Sequence, residues 1–390
     1  MTKKIFAIST LLLVLVVGAI FVYNFAFKKP ASNKAADSSP KITEEGKNNT
    51  PATNQPKSDS DNAGSAISEI AGEPVFGATL SADGKSIYYF LAGNGQINQV
   101  DLNGKLEKVL STAEFTGLKE VLWNKPKSKI IVKTEESPNL TRFYYYDLSN
   151  KTLTPLKENL DSATWSNLGD KIIYKYFDSK TKKRSLSVSD PDGKNWHDLA
   201  TFDYRYVNIS PIFGTSLISF WPSPDAYTAT STNVISFSGE DKKEILRDRF
   251  GANLLWAPSG TLAAVSYTDQ KGGHKTDLAL MNSQGGEFRS LAFPTFTGKC
   301  VFTSDSKFLY CALPGDISGS SILPNDWQEN KIKTADTFWK IEIASGKKER
   351  LVDPEKISGS IDVIRSFLSQ DEKTLFFTNK SDGKLYKVKL

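Results

Sequence analysis

From residue 66 onward the chain alternates short apolar runs with polar turns, a pattern typical of β-strands. Runs such as Ser86-Ile87-Tyr88-Tyr89-Phe90 and Lys171-Ile172-Ile173-Tyr174 are rich in β-branched and aromatic residues, and turns containing Gly, Asn or Asp separate them. No amphipathic helical pattern is evident in this part of the chain. The pattern predicts an all-β domain.

The strand pattern also repeats along the chain. Seven times an apolar residue precedes a polar turn and a second strand, at Leu80, Trp123, Trp165, Ile209, Trp256, Phe302 and Leu368. Successive positions are 43, 42, 44, 47, 46 and 66 residues apart. A period of about 40–45 residues with four short strands per unit is typical of a β-propeller. The sequence therefore predicts a seven-bladed β-propeller, with six blades as the alternative count.

The seventh unit has only three strands, the last of which is Leu385-Tyr386-Lys387-Val388. In the middle units the fourth strand lies about ten residues before the next repeat position, and Ile70 lies ten residues before Leu80. Because closure removes exposed sheet edges, we predict that strand 66–71 completes the last blade.

One motif of the repeat is shared with a known family. The run Leu80-Ser81-Ala82-Asp83-Gly84-Lys85, with a third strand ending in Asp101-Leu102, resembles the TolB-type (WD40-like) propeller repeat of bacterial envelope proteins. The resemblance covers residues 66–390, although units four and seven depart from the motif and the Gly-His and Trp-Asp marks of the WD type are absent. It implies a propeller similar to membrane-anchored, uncharacterised bacterial proteins, and it implies no activity.

The N-terminal segment has a different character. The 23 residues from Ile5 to Phe27 are uncharged, and pairs of lysines flank them. As a helix they would span about 34 Å, enough to cross a bilayer core. A cleaved signal peptide, which has a shorter apolar run, is the alternative. We predict a single-pass transmembrane signal-anchor in residues 1–29, with the remainder of the chain outside the cytoplasm.

Residues 30–64 contain no aromatic residue and are rich in Ser, Asn, Lys and Pro, which predicts a disordered stalk. The formal net charge of the chain is +5, but lysines of the anchor and stalk account for most of it. No basic stripe is therefore left in residues 65–390, the predicted propeller, to bind nucleic acid.

Cys300 and Cys311 flank a predicted turn at residues 304–307. Counting outward from that turn places the two cysteines opposite each other on neighbouring antiparallel strands, which is close enough for a disulfide. An oxidising exterior would permit the bond. The alternative is a pair of small buried apolar residues.

No linear motif of catalysis is present. The chain lacks a Gly-x-Ser-x-Gly elbow, a His-Glu-x-x-His pair and a phosphate-binding loop, and its two histidines, His197 and His274, fall on an outer strand and a turn. Asp59-Ser60-Asp61-Asn62 lacks the later ligands of a calcium loop. We accordingly predict no catalytic residue, no cofactor and no metal.

Two long connections stand out from the repeat, one from Trp221 to Tyr227 and one from Leu313 to Asp336. In a four-stranded blade the loops joining strands two and three emerge on one face of the ring. Trp221, Tyr227, Asp326 and Trp327 are therefore the candidate binding residues, since aromatic side chains on long loops are typical binding anchors. The alternative is that each Trp packs onto its own blade.

Together these patterns predict a monomeric, membrane-tethered propeller at the cell envelope that binds a protein or glycan on one face without catalysis. The alternative is an envelope hydrolase using carboxylates at the propeller channel. A third hypothesis is a structural element spanning the cell wall.

Overall fold

The computed structural model describes residues 65–138 and 140–390. Within these ranges the chain forms seven antiparallel sheets of four strands each, which are the blades of a β-propeller. No helix in the described part is both long and apolar enough to cross a membrane. The predicted anchor (1–29) and stalk (30–64) lie outside the described residues.

Each of the first three blades uses four consecutive strands, ordered from the inner to the outer strand of the sheet. Blade 1 contains β2 (Val75–Leu80), β3 (Ser86–Leu91), β4 (Ile97–Asp101) and β5 (Leu106–Ser111). Blade 2 contains β6 (Leu118–Trp123), β7 (Lys129–Ser137), β8 (Leu140–Asp147) and β9 (Thr152–Pro155). Blade 3 contains β10 (Leu160–Trp165), β11 (Ile172–Phe177), β12 (Arg184–Ser189) and β13 (His197–Thr201).

The next three blades repeat this order. Blade 4 contains β14 (Val207–Pro211), β15 (Leu217–Pro222), β16 (Ala229–Ser236) and β17 (Lys243–Phe250). Blade 5 contains β18 (Asn253–Trp256), β19 (Leu262–Thr268), β20 (Thr276–Asn282) and β21 (Arg289–Ser290). Blade 6 contains β22 (Cys300–Phe302), β23 (Phe308–Leu313), β24 (Thr337–Glu342) and β25 (Lys348–Arg350), with a short helix, α1 (Asn325–Gln328), between β23 and β24.

Blade 7 is built from both ends of the described chain. It contains β26 (Val363–Leu368), β27 (Thr374–Asn379) and β28 (Leu385–Lys389), and its outer strand is β1 (Ile67–Ala71). The strand β1 runs antiparallel to β28, with Ile67 opposite Val388. The ring is thus closed by hydrogen bonds between residues more than 300 positions apart in sequence.

A turn hydrogen bond recurs at the end of every inner strand. The backbone N–H after that strand donates to the carbonyl five residues later, at Ser81, Asn124, Ser166, Ile212, Ala257, Thr303 and Ser369. The last residues of the inner strands are therefore structurally equivalent. In blade 4 this residue is Pro211, so the repeat position predicted at Ile209 is wrong by two residues. That turn begins with the bulky apolar residues Ile212 and Phe213, so the sequence does not mark the end of the strand there.

Seven clusters of buried apolar side chains form the core, and each lies between two neighbouring blades. The cluster between blades 7 and 1 joins Ile70 and Phe376 to Ile87. Trp165 and Trp256, at equivalent positions of blades 3 and 5, are both buried in such clusters. Because both faces of a blade are covered, the ring is stabilised blade against blade.

Blade 6 contains both cysteines. Cys300 on β22 lies opposite Cys311 on β23, and a disulfide joins them with a Cα–Cα distance of 4.1 Å.

Candidate functional site

One end of the central channel carries the long loops, and we call this end the mouth. The inner strands begin at the mouth and the second strands end there, so the connections between β15 and β16 and between β23 and β24 both emerge at this end. The opposite end carries the short turns that join first and second strands. The two insertions therefore share one face.

The longer insertion, residues 314–336, forms a cap that reaches across blade 5 to blade 4. The Asn325 side chain accepts a hydrogen bond from the N–H of Ala226 and donates to Asp225 Oδ1, each at 2.8 Å. The cap also contacts blade 5, where the Leu323 N–H donates to the carbonyl of Gly273. Burial raises the pKa of Asp225, but its hydrogen bonds, foremost that from Asn325, outweigh burial and lower the pKa on balance.

Both predicted tryptophans have packing partners within the protein. Trp221 is buried between blades 4 and 5, and its indole N–H donates to Asn253 Oδ1 at 3.0 Å. Trp327 on α1 stacks on Phe296 with ring centroids 4.6 Å apart, and its N–H donates to Asp362 Oδ1 at 3.0 Å. Both side chains therefore pack within the protein, although each also contacts a neighbouring blade and does not pack onto its own blade alone.

The other two predicted residues differ in exposure. Tyr227 is 52% exposed, and its ring lies against Gly272 of blade 5. Asp326 accepts a hydrogen bond from the Ile322 N–H at 2.7 Å and forms an ion pair with Lys331 at 3.4 Å. Asp326 therefore holds the cap in shape, and Tyr227 is the one of the four that presents a large free surface.

A cavity of about 370 Å³ lies at the mouth, beside the inner strands of blades 2 to 5. Its wall is mostly polar and includes the side chains of Glu120, Lys133, Asp161, Ser162, Tyr206, Asn208 and Asn253. Tyr206 is 58% exposed, and the Arg205 guanidinium lies 5.2 Å from the centre of its ring. The buried Ser162 Oγ has no hydrogen-bond partner among the described residues. The wall therefore offers donors and acceptors to a ligand.

Irregular strands shape this wall. The pairing of β6 with β7 shifts between Leu118 and Glu120, and that of β10 with β11 shifts between Leu160 and Ser162. A β-bulge adds a residue and re-aims the neighbouring side chains. Glu120 and Asp161 both line the cavity beside such a bulge.

A buried lysine supports one side of the cavity. Lys175 on β11 is fully buried, and its ammonium forms an ion pair with Asp161 and donates to the carbonyl of Arg205. Burial, followed by the nearby charges of Arg184 and Arg205, lowers the pKa of Lys175 to about 8. Asp161 opposes this effect because its carboxylate favours the charged ammonium. Asp161 is thereby fixed in position at the cavity.

These cavity residues were missed from the sequence, although a signal for them exists. The signal is one position of the repeat, three residues before the last residue of each inner strand. This position is occupied by Gly77, Glu120, Ser162, Asn208, Asn253, Lys299 and Arg365. Six of these seven are polar or charged, and four of them line the cavity. Alignment of the seven repeats on the structural position would have revealed this polar ring.

No protein-family model matches the sequence, and no curated protein is significantly similar to it. Solved structures show the fold. An oligogalacturonate lyase in complex with manganese aligns with a TM-score of 0.59 at 13% identity, over 83% of this chain and 93% of that one. An oligogalacturonate lyase from Vibrio parahaemolyticus aligns with a TM-score of 0.58 at 11% identity, over the same shares.

Propellers of TolB proteins are also among the similar structures. A putative TolB from Agrobacterium tumefaciens is 16% identical and aligns over 57% of this chain and 86% of that one, with a TM-score of 0.44.

The similarity to the lyases overturns the prediction that the protein is not an enzyme. That prediction was based on missing linear motifs, and proteins that share this propeller fold include enzymes. The physical reason is that a propeller assembles its channel mouth from residues of several blades, so no motif in one segment records the site. Among the described residues no group of three or more His, Cys, Asp or Glu side chains is placed so that it could hold a metal ion.

Proposed function

We propose that the protein binds an oligosaccharide at the mouth of the propeller channel and displays this site outside the cytoplasm on an N-terminal membrane anchor. The polar cavity with its exposed Tyr206 carries the proposal. Sugar hydroxyls both donate and accept hydrogen bonds, and the carboxylate of Glu120 and the amides of Asn208 and Asn253 supply matching groups. The ring of Tyr206 offers an apolar surface for the carbon face of a sugar.

Two cations near the wall would also accommodate an acidic group on the ligand, although the wall contains the carboxylates of Glu120 and Asp161 as well. Lys133 lies in the wall and donates to the carbonyl of Asp161 at 3.3 Å, which leaves its positive charge available to an anion. The Arg205 guanidinium lies beside Tyr206 at the same rim. A uronic acid residue would place its carboxylate near these two cations.

The second candidate function is β-elimination of such a uronate at the same mouth. The fold shared with oligogalacturonate lyases favours it. Elimination needs a base to take the proton beside the uronate carboxylate and a cation to neutralise that carboxylate. In this chain Glu120 and Lys133 are the wall residues with those chemical properties.

Binding is tested with the full chain in detergent micelles, by calorimetric titration with neutral and uronate oligosaccharides. Tyr206→Ala and Asn208→Ala should each weaken binding about tenfold, which corresponds to about 1.4 kcal/mol. The matched control is Phe213→Ala, since Phe213 is 42% exposed on the opposite face of the ring. Absence of binding to every oligosaccharide, or an equal loss in the control, would contradict the proposal.

Catalysis is tested on the same samples with oligogalacturonate, by following the ultraviolet absorbance of the unsaturated product. Turnover that falls in Glu120→Gln and Lys133→Met establishes the lyase. Binding without any product leaves the glycan-binding function alone.

A further inference from the structure

A buried ionic cluster lies where blades 5, 6 and 7 meet at the mouth. Lys299 ends a 3₁₀ turn (Thr297–Lys299) just before β22. Its Nζ lies 2.6 Å from Asp336 Oδ2 and 2.6 Å from Asp362 Oδ1. The three side chains, which we call the Lys299 cluster, are at most 1% exposed.

Aromatic rings enclose this cluster. Trp327 of the cap lies with its ring centre 5.0 Å from Lys299 Nζ and is stacked on Phe296. The ammonium of Lys380 lies 4.4 Å from the centre of the same Trp327 ring. The cap therefore shields the cluster from water.

Only one ammonium, that of Lys299, contacts the two carboxyl groups, and it also donates to Thr334 Oγ1 at 3.0 Å and to the carbonyl of Val363 at 3.2 Å. A second ammonium, that of Lys380, acts on Asp362 from a longer distance. The buried Asp336 Oδ1 and Asp362 Oδ2 have no hydrogen-bond partner among the described residues. Burying a carboxylate without full pairing costs several kcal/mol, so one carboxyl group is expected to hold a proton.

The surroundings determine which carboxyl group that is. Burial raises the pKa of Asp336, against the opposing effect of Lys299. Burial also acts on Asp362, but Lys299 and the Trp327 N–H outweigh it, and the pKa of Asp362 is lowered. The two effects have opposite directions, so we expect Asp336 to hold the proton and Asp362 to be the carboxylate.

We propose that Lys299 and Asp336 condense into an intramolecular isopeptide bond, with Asp362 as the base. The arrangement places an amine in contact with a buried carboxyl group and places a second carboxylate on the same nitrogen. Holding the reacting groups in contact makes the reaction unimolecular and removes much of its entropic barrier.

The reaction is a condensation that needs no other reactant. Asp362 takes one proton from the Lys299 ammonium, and the free amine nitrogen attacks Cγ of Asp336. In the tetrahedral intermediate the bond from Cγ to Oδ1 breaks, and Oδ1 leaves as water with its own proton and a second proton from the nitrogen. The products are an amide N–H, one water molecule and protonated Asp362, so protons and charge balance.

A backbone N–H group is positioned to stabilise the tetrahedral intermediate. The Val363 N–H donates to Asp336 Oδ2 at 2.7 Å, and this is the oxygen on which negative charge develops. The amide also removes the buried ammonium, which lowers the electrostatic penalty of the cluster. The new bond would tie the base of the cap to the first strand of blade 6.

Mass spectrometry of the intact, reduced and denatured full chain tests the proposal. The expected mass is lower than the sequence mass by one water molecule. A tryptic digest should contain a branched peptide that joins residues 290–307 to residues 334–340, because trypsin does not cleave after an acylated lysine. A mass equal to that of the sequence would overturn the proposal, as would a bond mapped to Asp362.

The chain offers its own matched control. Lys175 is equally buried and is paired with Asp161, but Asp161 is 37% exposed and no second carboxylate contacts the lysine in the described residues. The same digest should therefore show normal cleavage after Lys175. In Asp362→Asn the attacked group is kept and the base is lost, so the intact mass should return to the sequence value. Loss of water from this variant would refute the role of Asp362.

Discussion

The closing strand β1 provides the most direct test of how the ring is stabilised. Ile67 lies in the cluster between blades 6 and 7, and Ile70 lies in the cluster between blades 7 and 1. Both are less than 10% exposed, so replacing either with alanine leaves a cavity, which costs about 2–5 kcal/mol. At a rise of about 3.3 Å per residue the two sites are about 10 Å apart, and their effects should add.

The double variant Ile67→Ala/Ile70→Ala should therefore lose at least about 4 kcal/mol, a large part of the 5–15 kcal/mol typical of a domain. Urea unfolding of the full chain, followed by tryptophan fluorescence, measures the loss. Ser68→Ala is the matched control, because Ser68 is exposed on the same strand and should change stability by less than about 0.5 kcal/mol.

The result that would refute this reasoning is a loss below about 1 kcal/mol in the double variant. The strand would then detach without opening the ring. Hydrogen exchange provides a second check. If β1 closes the ring, the β28 amides that pair with it should exchange faster in the double variant than in wild type.

Three further predictions concern a crosslink, a turn and the cap. The double variant Cys300→Ser/Cys311→Ser should lose about 3 kcal/mol, since the bond closes a short loop in the unfolded chain; equal urea midpoints with wild type would contradict this. Gly260→Ala should lose about 2 kcal/mol more than Gly214→Ala in urea unfolding, and equal losses would refute it. Both have φ of +68°, but only at Gly260 would a Cβ lie 1.9 Å from a carbonyl oxygen. Asn325→Ala should lose about 1 kcal/mol at pH 7. The part of this contribution that comes from the Asp225 carboxylate, whose folded pKa is below 3.8, is complete above pH 3.8 and disappears as the pH falls through the folded pKa, whereas the part from the Ala226 N–H remains. A difference from wild type that does not decrease in acid would contradict the contribution of Asp225.

The fold was largely predictable because its information is local and repeated. Each inner strand ends in a turn of the same hydrogen-bonded form, and Leu80, Trp123 and Trp256 mark that position in the sequence. Blade 4 is the exception. Its turn follows Pro211 without the usual polar pattern, and the position assigned from sequence was two residues too early.

The candidate site was much less predictable. The sequence indicated the two long loops, but it could not show that Asn325 crosses blade 5 to reach Asp225, or that Trp221 packs inward. The polar wall depends on bulges in β6 and β10, and a bulge moves a side chain without leaving a clear pattern in the sequence.

The sequence by itself determined the seven-fold repeat, the all-β class and the face from which the long loops emerge, because strand alternation and turn chemistry act over a few residues. Only the tertiary structure decided which side chains meet at the mouth and in the Lys299 cluster. Glu120 and Asn253 come from blades 2 and 5, and Lys299 and Asp362 come from segments 63 residues apart. Such contacts depend on ring closure and on blade-to-blade packing. A periodic sequence pattern predicts the ring, but it does not predict which side chains meet once the ring has closed.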